Sequence, residues 1–480
     1  MIKTPTSSHL TGSGPGSAIT YELVRQRHLQ AFGARLHGEP EKLTWPLERV
    51  HALRDARLRA LVRVAKVRSP WHARRLRHID PNTLSGDDLS AIPPMTKTDL
   101  MANWDEIITD QRLTLEVANA HLDRVAADGP AYLLDEYHVI ASGGTSGTRG
   151  VFVWDFQGWL ELGLVGLRSV LWLQRQAARQ GEPRRAFVMA ANATHMTGAL
   201  ARTFAGARGA GASRSFPVTL PLAEIVAGLN MFDPTHINAY PSMLHRLVEE
   251  VRAGRLRLNA QELNCGSEPL LPEARRAIEE AFRRPVLNTY ASSEAGIMAR
   301  SCPGSAGLHL NEDVAVYEPV DAQGRPVPPG TPAARLLVTN VINHALPLIR
   351  YELNDQVRLM AEPNPGPWTG RRLADIQGRQ DDTFTYAGGV EVHPHVFECA
   401  LGQRPEIVEY QVRQTRAGAD IAVRAAGPIN LEVARRDLVD ALVRLGLRTP
   451  EVRITIADHL ERQGGTGKLR RFIPLAVQAR

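Results

Sequence analysis

The stretch PTHINAYPSMLHRLVEEVRAGRLRLNAQELNCGSEPLLPEARRAIEEAFRRPVLNTYAS, residues 234–292, decides the fold class. Its apolar residues come in short bursts, HINAY, LNCG and PVLNTYAS, each about as long as one buried strand. Between them, PSMLHRLVEEVRAG and LPEARRAIEEAFRR carry apolar residues at spacings of three and four, the period of an amphipathic helix. Strands alternating with helices predict an α/β architecture with a largely parallel sheet.

The same alternation extends in both directions. Upstream, RAFVMAA (185–191) is a strand candidate and PLAEIVAGLNMF (221–232) a helix. Further back, HVIASGGTSGTRG (138–150) predicts a strand feeding a glycine-rich loop. Tyr21 to Arg77 reads as helices, and IPPMTKTDLM (92–101) leads into more helix. Downstream, the pattern becomes β-rich from about Gly307, with turn residues in DAQGRPVPPGTP. Beyond Gly378, EIVEYQVR, ADIAVRAA and EVRITIAD read as strands and NLEVARRDLVDALVRLG as a helix. The expected organisation is a disordered tail over 1–20, a large α/β domain with a β-rich portion over 21–378, and a small, mobile α+β domain over 379–480.

Bulk properties narrow the function classes. A chain of 480 residues exceeds one ordinary core, and 43% hydrophobic with 22% charged residues is the composition of a globular protein. No apolar run reaches the roughly 18–20 residues of a membrane span, and the opening MIKTPTSSHLTGSGPGS lacks a secretory apolar core. Three cysteines point to a reducing, cytoplasmic setting without a disulfide framework. The net charge of +6 is spread along the chain, and in ERVHALRDARLRALVRVAKVR (48–68) Arg alternates with acidic residues. That pattern reads as a helix with a solvated face, not a nucleic-acid stripe. The expected partners are small molecules, with neither nucleic acid nor membrane, in a monomer or homodimer. Only five of the 57 basic residues are lysines, and Lys468 is the sole one after Lys97.

Five segments carry chemistry. Ser142, Gly143, Gly144, Thr145, Ser146, Gly147 and Thr148 form a loop whose backbone N–H groups and hydroxyls suit phosphate. It lacks the Gly-Lys-Ser/Thr of a Walker loop and the Gly-x-Ser-x-Gly of a nucleophile elbow. In Asn288–Gly296, Glu294 stands beside the hydroxyls of Ser292 and Ser293 and suits Mg²⁺; Ser293 reads equally as a helix cap. In Pro347–Asp355, Asp355 suits the hydroxyls of a ribose, or the segment is a surface turn. Gly378–Asp382 lies at the domain boundary, and Gly464–Arg471 places Lys468 on a glycine loop.

In this order the five resemble the adenylate-forming superfamily of acyl-CoA synthetases, peptide-synthetase adenylation domains and luciferases. The segments INAYPSMLHRL, NCGSEPLLPEARRAIEEAF, GLHLNEDVAVYE, ALPLIRYELNDQVRL and GRQDDTFTYAGGVEVHPHVFECAL resemble its phenylacetate-CoA ligase branch, from about Pro93 onward. The resemblance implies that Ser142–Gly150 holds ATP phosphates and that Gly266, Ser267 and Glu268 lie along the adenine and acyl site. It places Tyr290 near adenine, with Ala291, Ser292 and Ser293 beside it. Glu294 would bind Mg²⁺ with Thr145, Asp355 the ribose with Arg379 nearby, Asp381 would be the hinge and Lys468 the catalytic lysine. Tyr240, Pro241, Ser242 and the region 190–200 would line the acyl pocket; His195 either faces the carboxylate or is a satisfied structural histidine.

The sequence departs from the family at several points. Ala291 and Ser293 replace glycine and threonine, Glu352-Leu353-Asn354 replace Arg-Thr-Gly, and Arg149-Gly150 replace Pro-Lys. The implied reaction activates a carboxylic acid, aromatic by analogy, with ATP to an acyl-adenylate and pyrophosphate. The acyl group then passes to coenzyme A or, alternatively, to an amine or a carrier-protein thiol. An inert homologue acting as a nucleotide-binding module is the alternative of another class. Cys265, Cys302 and His309 match no standard zinc spacing and read as buried thiols with a separate histidine.

Overall fold

The computed structural model describes residues 15–142, 150–176, 183–189, 193–207, 211–364, 366–374, 376, 382–392, 394–401, 404, 406–462 and 469–475. Among these, eight strands form the main sheet. Their spatial order is Arg372–Leu373, Leu308–Leu310, Gly296–Ser301, Val286–Ser292, Glu262–Gly266, His236–Ala239, Arg184–Val188 and Ala212–Ser215. The last five of these run parallel. Antiparallel pairing takes over at Val286–Ser292 and continues to Arg372–Leu373.

Helices Leu222–Phe232, Pro241–Arg252 and Pro272–Phe282 connect the parallel strands. Their apolar stripes, with Ile225, Leu229, Leu244, Leu247 and Ile278, share one core with Ala186, Val188, Ile237 and Leu263 of the sheet. This is the architecture that the periodicity of residues 234–292 predicts.

His138–Ala141 is the predicted strand before the glycine-rich loop, and it pairs antiparallel with Val151–Trp154 in a separate two-stranded sheet. Nine intervening residues are too few for the crossover that parallel pairing needs. All eight residues of this hairpin are buried, which is why its apolar run resembles a central parallel strand. Helix Pro15–Arg35, in contrast, begins inside the stretch expected to be an open tail.

Helix Leu47–Arg68 has the predicted solvated face, yet it also buries two arginines in part or whole. Arg54 is 1% exposed and bonds Asp55 and Asp87, and Arg57 bonds Glu161 and the Asp313 carbonyl. Nearby, Arg168 makes a bidentate pair with Asp313 at 2.9 and 2.8 Å and also reaches Glu39. These inward arginines are tolerated because each meets a carboxylate. A three-stranded antiparallel sheet, Ala315–Val320, Arg335–Asn340 and Tyr351–Leu353, makes up the β-rich portion.

The C-terminal unit has its own core. Strands Glu451–Ile456, Gly418–Ala425, Ile407–Gln414 and Phe472–Ile473 form one sheet in that order, covered by helices His395–Leu401 and Leu431–Arg444. Phe384, Phe397, Tyr410, Val412, Leu438 and Phe472 are buried there together. The combination is α+β. No helix among the described residues is long and apolar enough to cross a membrane.

Candidate active site

Ligands in open parallel sheets bind beyond the carboxyl ends of the strands. Here three neighbouring strands end in Tyr240-Pro241-Ser242, Gly266-Ser267-Glu268 and Tyr290–Glu294, so the expected site residues share one edge of the sheet. Gly266 is required by packing, because a Cβ there would sit 2.6 Å from the Thr289 carbonyl oxygen of the adjacent strand. Ser267 follows with φ 69°, a left-handed conformation that turns the chain sharply out of the sheet.

That turn delivers Glu268 to the start of helix Pro241–Arg252, which has no side-chain cap of its own. One Glu268 carboxylate oxygen accepts the Ser242 backbone N–H at 3.2 Å and the other accepts the Leu469 backbone N–H at 3.0 Å. A carboxylate is well placed at a helix N-terminus, where backbone N–H groups lack partners.

Tyr290 and Asp355 come together although 65 residues separate them. The Tyr290 hydroxyl donates to Asp355 Oδ2 at 2.6 Å, and both residues are buried. Thr289 Oγ1 donates to Asn264 Oδ1 at 2.9 Å, and Asn264 Nδ2 donates to Asn238 Oδ1 at 3.0 Å. Polar side chains thus link the three strands behind the edge. The loop after Tyr290 is fixed as well: Ala295 N–H bonds Ser292 Oγ, and Asn340 Nδ2 donates to the Glu294 carbonyl. Ala291, Ser292, Ser293 and Glu294 remain half-buried. Burial, with the nearby Glu294 and Glu352 charges, pushes the Tyr351 phenol well above its usual range.

The glycine-rich loop is described at its two ends. Gly150 N–H donates to Ser142 Oγ and Ser142 N–H to the Gly150 carbonyl, both at 2.9 Å. His195 Nδ1 lies 3.2 Å from the Ala141 carbonyl, and Ala141 N–H bonds the Thr194 carbonyl, which brings His195 beside this base. Tyr240 and Ser242 are buried at the adjacent strand end. Gly143, Gly144, Thr145, Ser146, Gly147, Thr148, Arg379, Asp381 and Lys468 lie outside the described residues, as do 190–192 of the expected acyl pocket.

Among the described residues no three His, Cys, Asp or Glu gather to hold a metal. Cys265 and Cys302 are buried thiols, and burial pushes Cys302 up to about 11. His309 Nε2 lies 3.1 Å from Ser305 Oγ. A cavity of about 30 Å³ lined by Lys42, Arg168, Arg300, His309 and Trp368 includes none of the site residues. It has room for a water or two.

Sequence reasoning missed the residues that join the C-terminal unit to this edge. Arg462 Nη1 donates to Ser242 Oγ at 3.3 Å and Arg424 Nη1 to Glu249 Oε2 at 3.0 Å, while both arginines also bond Glu409. Nothing in the sequence marks these two among so many arginines.

Comparison with known proteins gives the family and the fold. Residues 45–339 match the AMP-binding enzyme family, and the chain belongs to that family. Within it the chain falls in the phenylacetate-CoA ligase-like branch. The phenylacetate-coenzyme A ligase of Thermus thermophilus is 30% identical over 87% of this chain and 91% of its own length. The Escherichia coli phenylacetate-coenzyme A ligase is 29% identical over 47% of this chain and 48% of its own. Among solved structures, 2-hydroxyisobutyryl-CoA ligase in its postadenylation state covers 91% of this chain and 92% of its own, with TM-score 0.69 at 20% identity. In its thioesterification state the same ligase gives 0.58 over 91% of each chain. At these identities the likeness is one of fold.

Proposed function

We propose that this chain joins a carboxylic acid to ATP, releasing pyrophosphate, and transfers the resulting acyl-adenylate's acyl group to coenzyme A. The single observation that carries this reading is the hydrogen bond from Leu469 to Glu268. It seats the residue next to Lys468 at the carboxyl edge of the parallel sheet, beside Ser242 and Gly266. A lysine brought to that edge meets substrate where the reacting carboxylate and α-phosphate would lie.

In the first step a carboxylate oxygen attacks the α-phosphorus and the bond to pyrophosphate breaks. Negative charge spreads over the phosphate oxygens, so positioning and electrostatics dominate. Lys468 offsets that charge, Asp355 accepts the ribose hydroxyls while Tyr290 holds it in place, and the 143–149 loop cradles the phosphates. Glu294, half-buried after a strand end, and Thr145 would hold Mg²⁺, which would supply positive charge against the phosphates. In the second step the C-terminal lobe turns about Asp381 and withdraws Lys468, and the coenzyme A thiol attacks the acyl carbon, releasing AMP. The residues from 379 onward act as this moving lobe, and those from 21 to 378 as the fixed one.

The named relatives favour phenylacetate or another aromatic acid as substrate. The test is pyrophosphate release with phenylacetate, benzoate and isobutyrate, each with coenzyme A, a primary amine or no acceptor. Acid-dependent release followed by thioester formation is expected. Amide formation alone would replace coenzyme A with an amine as acceptor, and no release with any acid would defeat the proposal.

A further inference from the structure

We infer that Arg462 and Arg424, with Ser242, Glu249, Glu268 and Glu409, form a latch that holds the Lys468 loop in the adenylating position. The inference rests on the adenylation reading above. It assigns positioning roles to Arg462, Arg424, Glu249 and Glu409, which hold the lobes together beside Ser242 and Glu268 of the expected acyl site.

Arg462 and Leu469 flank the loop and pair with each other in an antiparallel bridge. The buried Gln411 amide ties the two stems together, donating to the Glu461 carbonyl at 3.1 Å and the Arg470 carbonyl at 2.8 Å. The residues on either side of 463–468 are therefore a fixed base on the small lobe's sheet.

Each side of that base then contacts one small unit of the large lobe, the start of helix Pro241–Arg252. Leu469 N–H reaches Glu268, whose other oxygen accepts Ser242 N–H; Arg462 reaches Ser242 Oγ. Two turns along the same helix, Glu249 accepts from Arg424. Glu409, 2% exposed, bonds both arginines and holds them side by side. The contacts are directional, so a rotation of the small lobe breaks all three at once. Glu268 keeps its bond to Ser242 in either position and stays ready to accept Leu469 again. The arginine–carboxylate pair is only partly exposed, with Arg424 at 17% and Glu249 at 29%, which lets water take over when it opens.

The test separates the two half-reactions in the full-length enzyme. ATP–pyrophosphate exchange with phenylacetate reads adenylation, and thioester formation from synthetic phenylacetyl-adenylate and coenzyme A reads the second step. Arg462→Met is expected to lower the kcat of exchange roughly threefold to tenfold, given the loss of two charge-assisted bonds, with little change in KM for ATP. Its rate of thioester formation should stay equal or rise. Glu249→Gln, on the other lobe, should give the same split to a smaller extent, and Arg462→Lys should restore part of the exchange. Parallel loss of both half-reactions, or no change in either, would overturn the latch. A wild-type enzyme without exchange with phenylacetate, benzoate or isobutyrate would overturn the adenylation reading, and the latch with it.

Discussion

Tyr290 and Asp355 meet inside the large lobe through a buried hydrogen bond, whereas Arg462 and Leu469 reach the same edge through partly buried hydrogen bonds to the other lobe. The first pair is tied to the large lobe's hydrophobic core, in which Tyr290 is packed. The second is held by a few hydrogen bonds between two separately cored lobes. Under the proposed function, the difference separates the fixed part of the site from the part that leaves between half-reactions. A group that binds nucleotide throughout the cycle gains from burial, and a group needed in one half-reaction gains from contacts that each contribute about 1 kcal/mol or less.

Acidification should strain this contrast most. Burial, with Arg27 adding to it, lowers His28 to about 4; burial with Arg124 lowers His121 to about 4; burial with Arg75 lowers His72 to about 3. All three belong to the large lobe. Unfolded histidine takes up a proton near pH 6.5, whereas these folded ones do so only near 3–4. Their stabilisation is therefore complete above pH 6.5 and lost as pH falls toward 4. Between pH 7 and 5 the three together should cost the large lobe several kcal/mol, at about 1.4 kcal/mol per histidine per pH unit below 6.5. The histidine whose side chain is described in the small lobe, His459, is exposed. All seven tryptophans lie before residue 379, so tryptophan fluorescence during urea unfolding reports the large lobe. A urea midpoint unchanged from pH 7 to 5 would contradict this account.

Next in size is Asp313→Ala. It leaves Arg168 facing Glu39 alone in a buried site and should cost about 3–5 kcal/mol by the same fluorescence assay. A loss under 1 kcal/mol would mean that the buried ion cluster is not held as described. Tyr290→Phe should then raise KM for ATP roughly 10- to 100-fold, the equivalent of about 1.5–3 kcal/mol for a bond to a charged group. If KM is unmoved, Asp355 is placed by something other than Tyr290. The smallest stability effect is expected from Arg424→Met, below about 1 kcal/mol for the large lobe. A larger shift would show that the lobes are welded rather than docked.

Much of this fold can be read from the sequence because strand and helix periods alternate cleanly from Arg184 to Ser292. The strand His138–Ala141 is legible, but its antiparallel partner Val151–Trp154 is not, because burial on both faces erases the alternation that distinguishes an antiparallel strand. In the site, motif order brought Tyr290, Glu294 and Asp355 into view, yet spacing alone could not foresee that the tyrosine hydroxyl would hold the aspartate. Glu268 was visible as part of a turn. Its two backbone partners depend on where a helix 26 residues upstream begins and on which residue 201 positions downstream docks there. Arg424 and Arg462 were invisible, because local sequence looks alike for a solvated arginine and a docking one.

The most direct measurement compares wild type with Lys468→Ala in both half-reactions. Acid-dependent ATP–pyrophosphate exchange should fall by about 10²-fold or more, the usual loss of one group that stabilises transition-state charge. Thioester formation from supplied acyl-adenylate should survive. Undiminished exchange in Lys468→Ala would contradict the claim that a lysine carried by the C-terminal lobe completes the adenylating site.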